Sequence, residues 1–223
     1  MSQPSPFDAV HFVQQFEREV AEARQLLLDS QSLRPGAAGN ISLRLSGGQR
    51  LAIAAFNGPQ VGAALLLDFD LGNPQGTLSD NLREVAALHA AIYRERPRAN
   101  AIIHTHSPYL SAFAIARRPL PAHSNALLFA IAEDQAIPVA DWGPRYSAEP
   151  VVAALREQPW TPAVLLANHG PFAWAEGGVL AATRLLVNLE ETAYLSFLAE
   201  QLGGAQRFPA GAAERVRKGW SAT

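Results

Sequence analysis

The chain has 223 residues, no cysteine, and 18 Lys+Arg against 20 Asp+Glu, for a formal charge of -2. Zero cysteine excludes disulfides, thiolate catalysis, cysteine–zinc sites and iron–sulfur clusters. The near-neutral charge argues against a broad nucleic-acid surface. With 48% hydrophobic and 17% charged residues, the sequence suits one packed domain and leaves little polar surface for a monomer, which points to oligomerisation. No apolar run reaches the roughly 18 residues of a membrane span. The start MSQPSPFDAVHFV lacks the basic-then-apolar plan of a secretory signal. A cytoplasmic protein without a membrane partner is expected.

Phe12, Phe16, Val20 and Leu27 predict a helix from Phe7 to about Ser30, which Pro35-Gly36 ends. Ile41 to Leu45 alternates, Gly47-Gly48 turns, and Leu51 to Ala54 resumes, predicting a hairpin. Leu65 to Asp70 reads as another strand. A helix over Asn81–Glu95 follows, with Asn81 and Glu84 spaced as a capping box. Ala101-Ile102-Ile103 is a short apolar strand running into His104-Thr105-His106, and a small-residue helix covers Tyr109 to Ala116. Residues 117–148 read as irregular. Helix 149–157, a buried strand over 163–167 and a long helix from Gly178 to about Leu202 complete the pattern, and Gly203-Gly204 closes it. Residues 7–205 form one domain, and 206–223 read as a tail. Strands alternating with helices predict a single α/β domain with a central sheet. No phosphate-binding glycine loop of either common type is present.

Of six histidines, three stand out. His104 and His106 are two apart at the end of a strand, so their side chains share one face, while Thr105 points the other way. His169 follows a second apolar strand and directly precedes Gly170. Three neutral imidazoles at strand ends suit a borderline divalent ion with one position open for substrate. A His-x-His pair alone is more often a polar strand edge or a core hydrogen-bonding feature than a metal site; His169 brings the two readings level, although spacing does not bring it to the pair. His11 and His123 carry little functional weight.

The segments Gly39-Asn40-Ile41-Ser42, Leu88-His89-x-x-Ile92-Tyr93 with Arg96-Pro97, His104-Thr105-His106-Ser107-Pro108, Asn168-His169-Gly170 and Glu190-Glu191 fall in a telling order. Together they resemble the class II aldolase/adducin-like family, over roughly residues 10–200. The resemblance implies a three-layer α/β/α domain around a mixed, largely antiparallel sheet, assembled as a homotetramer. It also implies one divalent metal per subunit held by His104, His106 and His169: zinc first, with manganese, cobalt or nickel as alternatives. The implied function is a metal-dependent carbon–carbon lyase that acts through an enediolate or enolate on a small hydroxy-carbonyl or sugar-acid substrate. A family decarboxylase or epimerase, or an inactive adducin-like interaction domain, is the alternative.

Two departures from the family pattern matter. Aldolases of the family carry a glutamate four residues before the helix histidine that His89 matches. Val85 stands there, and Glu84 is one step, about 100° of helix, away. Glu84 therefore reads either as the catalytic carboxylate or as the third residue of a capping box. The hydroxyl-rich phosphate pocket of sugar-phosphate members is thin here: Asn57-Gly58 and Ser79 remain, beside Asp80, which favours a substrate without phosphate. Arg44, Arg83 or Arg145 is an alternative anion partner. Asn40 and Ser42 are candidate substrate-binding residues, Asn40 reading equally as a turn cap. Tyr146 is the preferred proton donor over Tyr109. Thr105 and Ser107 are candidates to orient the ligand histidines. His89 reads equally as their support or as a satisfied core histidine.

Overall fold

The computed structural model describes residues 9–45, 48–57, 60–144 and 147–221. Helix α1 (Ala9–Asp29) buries Phe16, Val20, Ala23 and Leu27, a stripe that lies against the sheet and the long fifth helix. Strands β1 (Ala38–Arg44) and β2 (Arg50–Asn57) form the expected hairpin. Two short strands, β3 (Gln60–Val61) and β4 (Leu65–Asp68), both pair with β2.

Helix α2 (Asp80–Glu95) starts one residue before the expected cap. Ser79 is its N-cap: the backbone there is extended, and its Oγ accepts the Leu82 N–H at 3.4 Å. The expected cap at Asn81 is thereby corrected to Ser79, since Asn81 already lies inside the first turn.

Strand β5 (Ala101–Thr105) leads through His106 and Ser107 into helix α3 (Pro108–Ile115), whose first turn carries the proline. The stretch expected to be irregular contains strands β6 (Leu120–Pro121), β7 (Ala136–Ile137) and β8 (Val139–Ala140), with a single 3-10 turn at Leu127–Phe129. Helix α4 (Ala148–Glu157) and strand β9 (Ala163–Leu166) follow as expected. Strand β10 (Gly170–Ala175) was not anticipated, because Gly170-Pro171 reads as a break. Helix α5 (Val179–Gln201) comes next.

The expected tail instead includes helix α6 (Ala212–Ser221). It docks by burying Ala212 and Ala213. Arg217 donates to Leu128 O and Ile131 O, both at 2.9 Å, and Glu133 accepts the N–H groups of Gly211 and Ala213 at the start of the helix.

The main sheet runs β3-β2-β1-β5-β10-β9-β8, with β4 also on β2. Every pair in it is antiparallel except β8–β9. Helices cover both faces. Ile41, Ile103, Leu165 and Ala173 point into the layer of α1, α3 and α5. Ile53, Ile102, Val164, Phe172 and Trp174 point into the layer of α2 and α4. The period of two thus fills two separate apolar cores from the same strands. This is the expected α/β/α sandwich with a mixed, mostly antiparallel sheet.

Candidate metal centre

Strand β10 is what assembles the site. It lies between β5 and β9, with Phe172 opposite His104 and Gly170 opposite Leu166. Continuing the first register by two residues sets Gly170 beside His106. The β9–β10 connection is only Ala167-Asn168-His169, and Asn168 takes φ 60°, a left-handed conformation that asparagine tolerates well. His169 therefore swings over the end of β5. Gly170 has to be glycine: a Cβ there would sit 2.6 Å from Thr105 O and 3.5 Å from ring atoms of His104 and His106.

One nitrogen from each of His104, His106 and His169 lies within 4.8 Å of the others, and no further His, Asp or Glu joins this group among the described residues. His106 Nε2 and His169 Nε2 are 3.1 Å apart. Nitrogens around a tetrahedral zinc at about 2.0–2.1 Å stand roughly 3.3 Å apart, so this spacing suits an ion between them. His104 is buried, and its Nδ1–H donates to Pro171 O at 2.8 Å. That bond fixes the tautomer whose Nε2 carries the lone pair a metal needs. Burial, then the proximity of His169 and His106, holds the His104 pKa well below the usual imidazole value; burial also lowers that of His106. Neutral rings that resist protonation are a fit donor set for a divalent cation. The three histidines form a divalent-metal-binding site.

Behind the triad lies a buried polar chain. His89 Nε2 is 2.7 Å from Asn40 Oδ1, His89 Nδ1 is 2.7 Å from Ser42 Oγ, and Ser42 Oγ is 2.9 Å from Tyr93 Oη. All four residues are buried, and burial lowers the His89 pKa to about 3, so the ring is neutral. Asn40 sits opposite His104 across the β1–β5 pair, on the same sheet face. The Phe172 ring stacks on His104 at 4.2 Å and meets the His89 ring edge-on at 5.9 Å.

Other expected residues are placed as follows. Thr105 and Ser107 do not bond to the ligand rings: their hydroxyls pair at 2.6 Å, and Ser107 donates to Ser32 O at 2.7 Å. Thr105 faces the α1–α3–α5 layer, on the opposite side of the sheet from His104, which is why it cannot reach that ring. Backbone carbonyl Pro171 O does the orienting instead, a role that side-chain patterns in the sequence do not reveal. Ser42 points at α2 and is fully enclosed by His89 and Tyr93. Ser79 is exposed and serves as the α2 cap. Glu84 is half-buried at the fifth residue of α2, while Val85 faces the core. Arg44 is used structurally, donating to Tyr93 O at 2.8 Å and Pro97 O at 2.5 Å. Tyr109 packs against Tyr194 and Phe197. Gly58, Arg145 and Tyr146 lie outside the described residues, as does the side chain of Asn57.

Residues 18–197 match the family described as Class II Aldolase and Adducin N-terminal domain. The chain belongs to the class II aldolase/adducin family. It is 28% identical over 207 residues to a 5-deoxy-D-ribulose 1-phosphate aldolase of Bacillus thuringiensis, covering 92% of this chain and 95% of that protein. It is 30% identical over 173 residues to an L-fuculose phosphate aldolase of Escherichia coli, covering 76% of this chain and 73% of the relative. Among solved structures, an L-fuculose 1-phosphate aldolase superposes with TM-score 0.75 at 25% identity, over 92% of this chain and 95% of the other. Family membership and the triad together support metal-dependent lyase-type activity. Among the described residues no helix is long and apolar enough to cross a membrane.

Proposed function

We propose that this protein is a carbon–carbon lyase that cleaves a small hydroxy-carbonyl or sugar-acid substrate between the carbons α and β to its carbonyl. The convergence of His104, His106 and His169 carries this reading. A divalent ion bound there, zinc by preference from the all-imidazole donor set, supplies Lewis-acid stabilisation of the negative charge that develops on a carbonyl oxygen as the bond breaks. Asn40, Asn57 and Gly58 are the proposed substrate-binding residues. Glu84 stands outside the metal cluster, so its proposed role is proton transfer, with Tyr146 as the second proton-moving group. As the bond breaks, the β-hydroxyl gives up its proton to a base and becomes the aldehyde. The carbanion equivalent left behind then takes a proton at carbon.

The curated relatives act on sugar phosphates, by their names. Here the Ser79 hydroxyl is engaged as a helix cap beside Asp80, a poor setting for a dianion. A substrate without phosphate is therefore preferred. A homotetramer is the proposed assembly, in the cytoplasm. Exposed Phe197 on α5 and Leu202 just after its end, 50% and 89% accessible, and Ile115 on α3, 61% accessible, are apolar surface of the kind that subunit contact covers.

The test is aldehyde release from matched free and phosphorylated ketoses, with L-fuculose and L-fuculose 1-phosphate as the first pair, on zinc-, manganese- and cobalt-loaded protein. Metal-dependent cleavage that favours the free sugar or sugar acid supports the reading. Preference for the phosphate ester overturns the substrate class. Absence of turnover across the panel with full metal loading favours the adducin-like interaction domain.

A further inference from the structure

The chain Tyr93–Ser42–His89–Asn40 has a direction, set by the inward oxygen of the Asn40 amide. A neutral imidazole carries one hydrogen, and a hydroxyl donates one. Asn40 Oδ1 can only accept, so His89 carries its hydrogen on Nε2 and donates it there at 2.7 Å. His89 Nδ1 is then the acceptor, and the Ser42 hydroxyl donates to it at 2.7 Å. Ser42 Oγ accepts in turn from the Tyr93 hydroxyl at 2.9 Å, which also donates to Asn100 O at 3.2 Å. Among the described residues the side-chain hydrogen bonds of Asn40 run through Oδ1 alone. Its N–H2 group is thus left over at the metal end of β1, directly across the strand pair from His104.

We propose that His89, polarised through Ser42 by Tyr93, is a positioning residue that locks the Asn40 amide with its oxygen inward and its N–H2 offered to a substrate oxygen beside the metal site. This rests on the lyase reading and deepens it: the substrate presents an acceptor, a carbonyl, hydroxyl or carboxylate oxygen, at this place. An amide held by one short bond in a buried setting gives up little entropy on binding, so its orientation sharpens selection for an acceptor. The lock also accounts for a buried histidine bonded at both nitrogens that does not belong to the metal cluster.

The test is a double-mutant cycle on zinc-loaded protein, read by the binding of glycolohydroxamate, which offers a metal the paired oxygens of a hydroxy-carbonyl substrate. Asn40→Ala and His89→Leu each weaken binding by about tenfold. The double variant is no weaker than Asn40→Ala alone, because His89 acts only through Asn40. His89→Gln, which returns an amide N–H2 donor toward Asn40, restores binding to within about threefold of wild type. Zinc content stays at the wild-type level throughout. Losses that multiply to about a hundredfold in the double variant overturn the inference. So does His89→Gln as weak as His89→Leu, or loss of zinc from a folded His89→Leu protein. Should His89→Leu fail to fold, Tyr93→Phe takes its place in the cycle, with the same non-additive outcome expected. Probe binding is read without turnover. A protein that shows the coupling but cleaves nothing rejects the lyase reading alone, and one that cleaves substrate with additive losses rejects this inference alone.

Discussion

Phe172 lies flat on His104, with ring centroids 4.2 Å apart and planes within 14° of each other. The same phenyl ring also meets the His89 ring edge-on at 5.9 Å, so one apolar side chain of a central strand touches both a metal ligand and the polar chain beside it.

Truncating that ring should cost both stability and metal affinity. Phe172→Ala removes a fully buried ring, and the cavity costs about 3–5 kcal/mol by denaturant unfolding. With its stacking partner gone, His104 gains rotational freedom, and zinc affinity measured by competition with a chromophoric chelator should fall about tenfold or more. Unchanged zinc affinity in a folded variant would mean that Pro171 O alone orients the ring.

Gly170→Ala tests the close approach at the end of β5. The added methyl meets a backbone carbonyl, Thr105 O, at 2.6 Å, and backbone cannot swing aside as a side chain can. Separation of β5 from β10 by even a few tenths of an ångström carries His169 away from His106. The expected result is a destabilisation of about 1–3 kcal/mol together with loss of bound metal. Wild-type metal content in this variant would show that the hairpin absorbs the strain without moving His169.

Metal removal should be visible as a thermal shift. Zinc at about a hundred times its dissociation constant stabilises the native state by about 2.7 kcal/mol. For a chain of this size that raises Tm by roughly 5–10 °C. His106→Ala should lower the metal content from one ion per chain to near zero and erase the zinc-dependent part of Tm. Elemental analysis by mass spectrometry on the gently purified proteins gives the stoichiometry, and a folded wild type that holds no metal even after soaking defeats the assignment.

Acid should act through His89. Its folded pKa is about 3, against an ordinary value of 6.5, so between those pH values the unfolded chain binds a proton that the folded one refuses. The stabilisation is fully present above about pH 6.5 and is lost progressively as pH falls toward 3, by up to about 1.4 kcal/mol per pH unit. His89→Gln carries no titrating group and should show a shallower fall in unfolding free energy between pH 6.5 and 4. Parallel curves for the two proteins would assign acid sensitivity to other groups.

Most of the fold was legible because strand alternation and helical stripes were strong: α1, the β1–β2 hairpin, α2, β5, α4, β9 and α5 all fall near their expected bounds. The failures have physical causes. Strand β10 opens with Gly170-Pro171, which locally signals a break, and only its two neighbours make it a central strand. Ser79 outcompeted Asn81 as cap because the backbone turns helical one residue earlier than periodicity shows. At the site, residue types pointed to His104, His106 and His169, and tertiary structure alone brings them together. Ser42 looked like a substrate contact because it shares a strand face with Asn40, but α2 covers it there through His89 and Tyr93. The Pro171 carbonyl that orients His104 belongs to the backbone and leaves no mark in the sequence.

The insertion of β10 between β5 and β9 also orders events in time. His106 and His169 are 63 residues apart in the chain, and the strands bearing them become neighbours in one layer only when the last strand of the sequence slots between them. A three-histidine site therefore does not exist in any partly formed sheet that lacks β10. Such non-local pairings close late, after the local hairpin and helices. Metal capture is therefore expected no earlier than the insertion of β10, and the rate at which refolding chains take up zinc should report completion of the sheet.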